Sequence, residues 1–331
     1  MILWNTATIN SGKWEYSRRF NLGKTALLFS GQGAQYVGMG KDLFDNFDEA
    51  KNIFEIAGDV LKTDIKTICF EGPDEILKKT ENTQPAVLLL SYIAYKILEK
   101  NGFSFDTFAG FSLGEYSALT SSGVINLEDA LKLVRDRGLI MEKAVPFGKG
   151  TMAAVLGLDD SIVEEICRKV NPGVVVPANY NSPGQLVISG EKEAVEKACN
   201  LADEAGAKRT VILNVSGPFH SPLLKNASKK LGSILDKINF NKLSGKKVLS
   251  NVTAGYHKDA EIKKLLVEQM YSPVRWRSII ENLIKDGYDT FIELGPGKVL
   301  TGLMRSIDRE KKALNIDDLN SYKKTFEELS K

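Results

Sequence analysis

At 331 residues, 43% of them hydrophobic, the chain is long enough for one large globular domain, or for a large domain carrying a smaller one. Its 44 basic and 42 acidic residues nearly cancel, which excludes an overall field that would recruit nucleic acid or an anionic membrane. Cys69, Cys167 and Cys199 are odd in number and include no CxxC pair, which argues against a disulfide framework or a zinc site and for a reducing, cytoplasmic setting.

Residues 1–24 lack the continuous apolar core of a signal peptide and read as an N-terminal extension. No apolar run approaches the roughly 20 residues needed to span a bilayer. From TALLFS (25–30) to YDTFIELG (288–295), apolar β-rich runs alternate with amphipathic helical stretches, which predicts an α/β fold with a mostly parallel sheet. FSGQGAQYVGMG (29–40) places Gly31-x-Gly33 after a strand, but Tyr36 stands where a dinucleotide-binding turn needs its third glycine. The two glycines instead bring backbone and Gln32 close to a reaction centre. TQPAVLLLSYIAYKILEKNG (83–102) is a helix with Pro85 near its first turn and Gly102 after its last, and it leads into the strand FDTFAG (105–110). The middle of the chain breaks the alternation. GTMAAVLGL, DDSIVEEICRKV, GVVVPANY, a turn at NSPG, QLVISG, EKEAVEKACNLADEAG and KRTVILNV read as βαββαβ, the ferredoxin-like order. They predict a small subdomain at 147–214 inserted between 25–146 and 215–331.

Gly110-x-Ser112-x-Gly114 follows the FDTFAG strand and precedes the short helix EYSALTSSG. That context fits a tight strand-to-helix turn on which a serine hydroxyl stands clear of the sheet, with a plain βα turn as the alternative. A serine nucleophile needs a base, and neutral imidazole is best matched to that task. Of the two histidines, His220 follows the strand TVILNV and a Ser-Gly-Pro turn, and precedes Ser221-Pro222, a helix cap and first turn. It is the candidate base, against a histidine that merely packs on Phe219. His257, in NVTAGYHKDA, reads as a solvated loop residue. In the helix NLEDALKLVRDRGLIMEKAV, capped by Asn126, the apolar stripe Leu127, Ala130, Val134, Gly138 and Met141 also carries Arg137, while Arg135 falls off it. From this helix alone an internal salt bridge or a snorkelling arginine outweighs a fork for a substrate carboxylate. ELGPGKVLTG (293–302) lacks the first glycine of a phosphate loop and the Ser/Thr after Lys298, and reads as a βα turn.

Taken together, LLFSGQGAQYVGMG, TENTQPA, GFSLGEYSAL, VRDRGLIM, NYNSPGQLVISG, SGPFHSPLL, EQMYSPVRW and ELGPGKVLTGL resemble, in order, the motifs of malonyl-CoA:acyl carrier protein transacylases, from about residue 25 to 308. The resemblance implies an α/β-hydrolase-like core with a ferredoxin-like insertion. It implies Ser112 as nucleophile, His220 as its base, and the backbone N–H groups of Gln32 and Leu113 as oxyanion hole. Arg137 becomes the site of the malonyl carboxylate, with Gln32, Phe219 and Asn181 also at the substrate. The histidine would be oriented by the backbone carbonyl of Gln269 rather than by a triad carboxylate. Malonyl-CoA is then a substrate, holo acyl carrier protein the acceptor, and no cofactor or metal is implied. Carrier proteins of this system are acidic, so a basic rim is expected, with Lys225, Lys229 and Lys230 as candidates; free-standing members are usually monomeric. Many members have histidine before the nucleophile, where this chain has Phe111. Phe219 matches malonyl-selective rather than methylmalonyl-selective members. Competing readings are a serine hydrolase, a non-enzymatic carrier-binding module, and a polyketide acyltransferase for another extender unit.

Overall fold

The structure, a computed structural model, describes residues 23–146 and 148–331. The expected extension at 1–24 therefore lies outside the described residues, except for Gly23 and Lys24. Nine strands occur among the described residues: β1 (Thr25–Phe29), β2 (Thr107–Gly110), β3 (Gly150–Leu156), β4 (Val175–Ser182), β5 (Gln185–Glu191), β6 (Arg209–Ile212), β7 (Lys247–Val248), β8 (Thr290–Leu294) and β9 (Lys312–Ile316). They form two sheets. One is five-stranded, in the order β7-β2-β1-β8-β9, and every pairing in it is parallel. The other is four-stranded and antiparallel, in the order β4-β5-β3-β6.

β1 is buried along its whole length, as a central parallel strand covered on both faces must be. Its alternation divides the core: Leu27 and Phe29 join a large cluster with the helix Thr80–Lys100, while Ala26 and Leu28 pack on the opposite face with Trp276 and Ile280. A third cluster lies under the antiparallel sheet, where Val155, Leu186 and Ile188 meet Val163 and Val195 of the two crossing helices.

The helix Thr80–Lys100 begins earlier than its proline suggests. Thr83 Oγ1 and Asn82 Nδ2 donate to the carbonyls of Leu77 and Ile76, winding the chain into the helix ahead of Pro85, which lies inside it rather than in its first turn. Asn126 caps Leu127–Glu142, its side chain accepting from the Asp129 N–H. Gly138 lets these two helices touch: a Cβ there would lie 2.7 Å from the Thr80 carbonyl oxygen. That close approach brings Arg137 beside Gln84.

The turn after β2 is equally tight. A Cβ on Gly110 would sit 1.9 Å from the Gly114 carbonyl, and one on Gly114 would sit 2.1 Å from the Phe29 carbonyl oxygen. Both contacts are backbone, with no flexible side chain to give way. Gly114→Ala is therefore expected to destabilise the fold by more than about 3 kcal/mol, read as a lowered denaturant midpoint; an unchanged midpoint contradicts this packing.

Candidate active site

Ser112 occupies that turn with φ 52° and ψ −100°, ahead of the helix Leu113–Ser121. A positive φ costs a residue with a Cβ on the order of 1–3 kcal/mol and persists only where neighbours over-determine it. Here the Ser112 N–H donates to Asn251 Oδ1 at 2.6 Å, and Asn251 Nδ2 donates to the Gly110 carbonyl at 2.7 Å. Gln269 Nε2 donates to the Ser112 carbonyl at 2.9 Å. The turn so held presents Ser112 Oγ to His220 Nε2 at 2.7 Å.

His220 is buried and also has a positive φ, 59°. Its Nδ1 lies 2.8 Å from the Gln269 carbonyl oxygen. A carbonyl can only accept, so the proton sits on Nδ1 and the Nε2 lone pair faces the serine hydroxyl. Burial, followed by the nearby Arg137 charge, pushes the imidazole down to about 4 against the opposing pull of the Gln269 carbonyl. β6 belongs to the antiparallel sheet and ends at Ile212, and His220 stands beyond it in a turn pinned to Met270 by its own N–H. Ser221 and Pro222 hold the expected cap and first-turn positions, but of a short 3₁₀ turn that leads into the helix Lys225–Leu235, and the Ser221 Oγ donates to the Pro218 carbonyl instead of capping.

Arg137 is 1% exposed. Its Nη1 donates to Gln84 Oε1 at 2.9 Å, and its Nη2 to Gln269 Oε1 at 2.9 Å and to Ser112 Oγ at 3.1 Å. The guanidinium lies 5.0 Å from the centre of the Tyr116 ring, and its Nε–H has no partner among the described residues. Burial lowers its pKa, yet a guanidinium stays charged in proteins. Among the described residues Arg137 therefore makes no direct salt bridge: its guanidinium donates to two neutral amides and the serine, with the Tyr116 side chain and the Glu115 charge close by. Arg135, off the stripe, bonds instead to Leu61 and Thr63.

A cleft of about 290 Å³ opens above these groups, between the 30–34 turn and the inner faces of β3 and β4. Gln32, Phe219 and Asn181 all line it, and Asn181 Oδ1 has no hydrogen-bond partner among the described residues. Leu113, the residue after Ser112, is buried and does not line the cleft. Neither the Gln32 nor the Leu113 backbone N–H finds an acceptor among the described residues. Gly31 permits this juxtaposition, since a Cβ there would lie 2.6 Å from the Phe111 carbonyl oxygen. Phe111 lines the cleft and packs edge-on against Trp276, ring centres 5.6 Å apart. The ELGPGKVLTG segment is a βα turn, closed by Glu293 accepting from the N–H groups of Leu300 and Thr301. Among the described residues no cluster of three or more His, Cys, Asp or Glu could hold a metal.

Four contributors were missed in the sequence: Gln84, Glu115, Asn251 and the side chain of Gln269. Glu115 carried a signal, being a carboxylate inside an otherwise uncharged short helix, and Gln84 stood at the head of an apolar run. His257 is corrected outright: it is buried, and its Nε2 lies 2.6 Å from Glu115 Oε1.

A family model for the acyl transferase domain matches residues 26–322. The chain is 45% identical over 300 residues to the malonyl CoA-acyl carrier protein transacylase of Bacillus subtilis (strain 168), covering 90% of this chain and 94% of that protein. A protein of the same name from Staphylococcus aureus (strain COL) is 43% identical over 305 residues, covering 91% and 98%. Among solved structures, malonyl CoA-acyl carrier protein transacylase from Clostridium perfringens ATCC 13124 is similar with a TM-score of 0.90 at 46% identity, covering 93% of this chain and 97% of that one. A malonyl-transacylase solved in complex with a type II PKS acyl-carrier protein also gives a TM-score of 0.90, at 40% identity, covering 92% and 100%.

The position of His220 has a pH consequence. Because the imidazole is neutral down to about 4, a reaction that uses His220 as its base is expected to hold its kcat/KM plateau as pH falls through about 6.5 to 5. A histidine titrating at its ordinary value would lose most of the rate across that window, and such a loss contradicts the assignment. Stability moves with it: the unfolded imidazole takes a proton near 6.5 that the folded one refuses until about 4. The contribution is complete above the higher value and is lost as pH falls to the lower, by about 3 kcal/mol.

Proposed function

This chain belongs to the acyl transferase domain family, and we propose that Ser112, His220 and Arg137 carry out its reaction, transfer of a malonyl group from malonyl-CoA to the phosphopantetheine thiol of acyl carrier protein. The product supplies chain extender for fatty acid synthesis. The observation that carries the reading is the buried Arg137, which makes no direct ion pair among the described residues and lies 3.1 Å from the nucleophilic oxygen. A malonyl ester on Ser112 would bring a carboxylate to that cation.

In the first half-reaction Ser112 Oγ attacks the thioester carbonyl while His220 Nε2 takes its proton. The oxyanion is held by the Gln32 and Leu113 N–H groups, each such donor being worth about 3 kcal/mol. Collapse breaks the carbon–sulfur bond, and the imidazolium returns its proton to the departing CoA sulfur. The Gln269 carbonyl stabilises that imidazolium through Nδ1–H. In the second half, the carrier thiol gives its proton to His220, its sulfur attacks the ester carbonyl, and Ser112 Oγ leaves and is reprotonated. A carboxylate bound at Arg137 also offsets the charge that depresses His220, making the base stronger when substrate is present. An uncharged acyl group leaves the guanidinium unpaired, a penalty on the order of 3 kcal/mol. The transfer so written uses no cofactor and no metal.

The finer architecture follows the same reading. The five-stranded sheet of 25–146 and 215–331 is an α/β-hydrolase-like core, and 147–214 is a ferredoxin-like insertion, supported by its βαββαβ succession and β4-β5-β3-β6 order. Lys225, Lys229 and Lys230 are exposed on the helix that follows His220 and form part of a basic rim for an acidic carrier. Three buried free cysteines support a cytoplasmic setting, no helix among the described residues is long and apolar enough to cross a membrane, and the resemblance implies a monomer.

Intact-protein mass after brief mixing with malonyl-CoA tests the reaction. Wild type is expected to gain one malonyl group and lose it on addition of holo carrier protein, and Ser112→Ala to gain none. An adduct on Ser112→Ala, or one that only water discharges, overturns the transfer.

A further inference from the structure

We infer that Glu115 is a positioning residue: it fixes the direction of the Gln269 side-chain amide and, through it, the setting of Arg137 for a substrate carboxylate. Glu115 lies on the helix that starts at the nucleophile and is fully buried. Its Oε2 accepts from Gln269 Nε2 at 2.7 Å and from the Asn251 N–H at 3.1 Å, while its Oε1 lies 2.6 Å from His257 Nε2. Three groups converge on the carboxylate, and an ionised carboxylate can only accept.

That one-way character sets the polarity of everything beyond it. Gln269 Nε2 is caught between Glu115 Oε2 and the Ser112 carbonyl, both acceptors, so Gln269 Oε1 is left facing Arg137 Nη2 at 2.9 Å. An inverted amide would place oxygen against two acceptors and an NH₂ group against a cation. The same glutamine, through its backbone carbonyl, holds His220. Asn251 forms the second arm, linking Glu115 to the Ser112 N–H. The backbone carbonyl that holds His220 does not depend on the direction of the side-chain amide, so the acid acts chiefly on the carboxylate site.

Glu115→Gln replaces one acceptor oxygen by a donor. If the new NH₂ faced His257, the imidazole would have to carry its proton on Nδ1, which has no partner among the described residues; if it faced Gln269 and Asn251, it would meet two donors. The relay rests on the carboxylate role of Arg137 given above, so the test includes Arg137→Ala. The readout is the ratio of malonyl to acetyl loading on Ser112, from malonyl-CoA and acetyl-CoA separately, with melting temperature as the check on folding. Glu115→Gln is expected to lower the ratio roughly tenfold, the size of losing one charge-assisted hydrogen bond, by slowing malonyl loading far more than acetyl loading. Gln269→Met is expected to lower the ratio too, and the double variant to lose no more than Gln269→Met alone. A wild-type ratio in Glu115→Gln, or an equal fall for both donors, overturns the relay. So does a wild-type ratio in Gln269→Met, which decides the matter even if Glu115→Gln does not fold. If Arg137→Ala itself keeps the wild-type ratio, the carboxylate reading fails first and the relay falls with it.

Discussion

A guanidinium enclosed in a protein interior needs anionic or hydrogen-bonding partners, because its charge cannot be shed and its desolvation costs several kcal/mol. Among the described residues Arg137 donates to Gln84, Gln269 and Ser112, all neutral, and its Nε–H finds no partner. Much of the site can be understood as the scaffold that keeps this cation in place beside a serine. Gly138 brings its helix against Thr80–Lys100 so that Gln84 can reach it, and Gln269 closes on it from the opposite side.

The cation and the base oppose each other electrostatically, and the opposition is useful. Burial and the positive charge of Arg137 both hold His220 neutral, as a general base must be before it takes a proton. On the proposed reading, an arriving carboxylate would relax the second effect. Strain enters at the same place: Ser112 and His220 both hold positive φ, and each is pinned to the segment around Gln269 and Met270. Packing thus stores in two backbone turns the geometry that aligns Oγ with Nε2.

What the sequence disclosed was local, and what it withheld was distant. The turn at Ser112 was legible because Gly110 and Gly114 flank it at a fixed spacing, and the backbone contacts at both explain why no other residue would serve. The burial of Arg137 was legible from helical periodicity. The succession of strands in the antiparallel sheet followed from alternating patterns and a short turn at NSPG. By contrast, Asn251 reaches Ser112 across 139 positions and His257 reaches Glu115 across 142, and no local pattern marks such partners. His257 was misread because its neighbours are polar, whereas its burial depends on a carboxylate from another element. The position of His220 was half legible: the residue stood out by rarity, but its turn is set by Met270 and not by the strand before it. The early start of the Thr80–Lys100 helix was hidden because side-chain bonds from Asn82 and Thr83, rather than a cap residue, determine it.

If Arg137 is the seat of a carboxylate delivered on Ser112, a crystal structure of the protein loaded with malonyl-CoA in the absence of carrier will show it. The expected result is an ester on Ser112 Oγ whose carboxylate lies within hydrogen-bond distance of the Arg137 guanidinium. A malonyl ester whose carboxylate turns to solvent, with Arg137 still bonded only to Gln84 and Gln269, would contradict it.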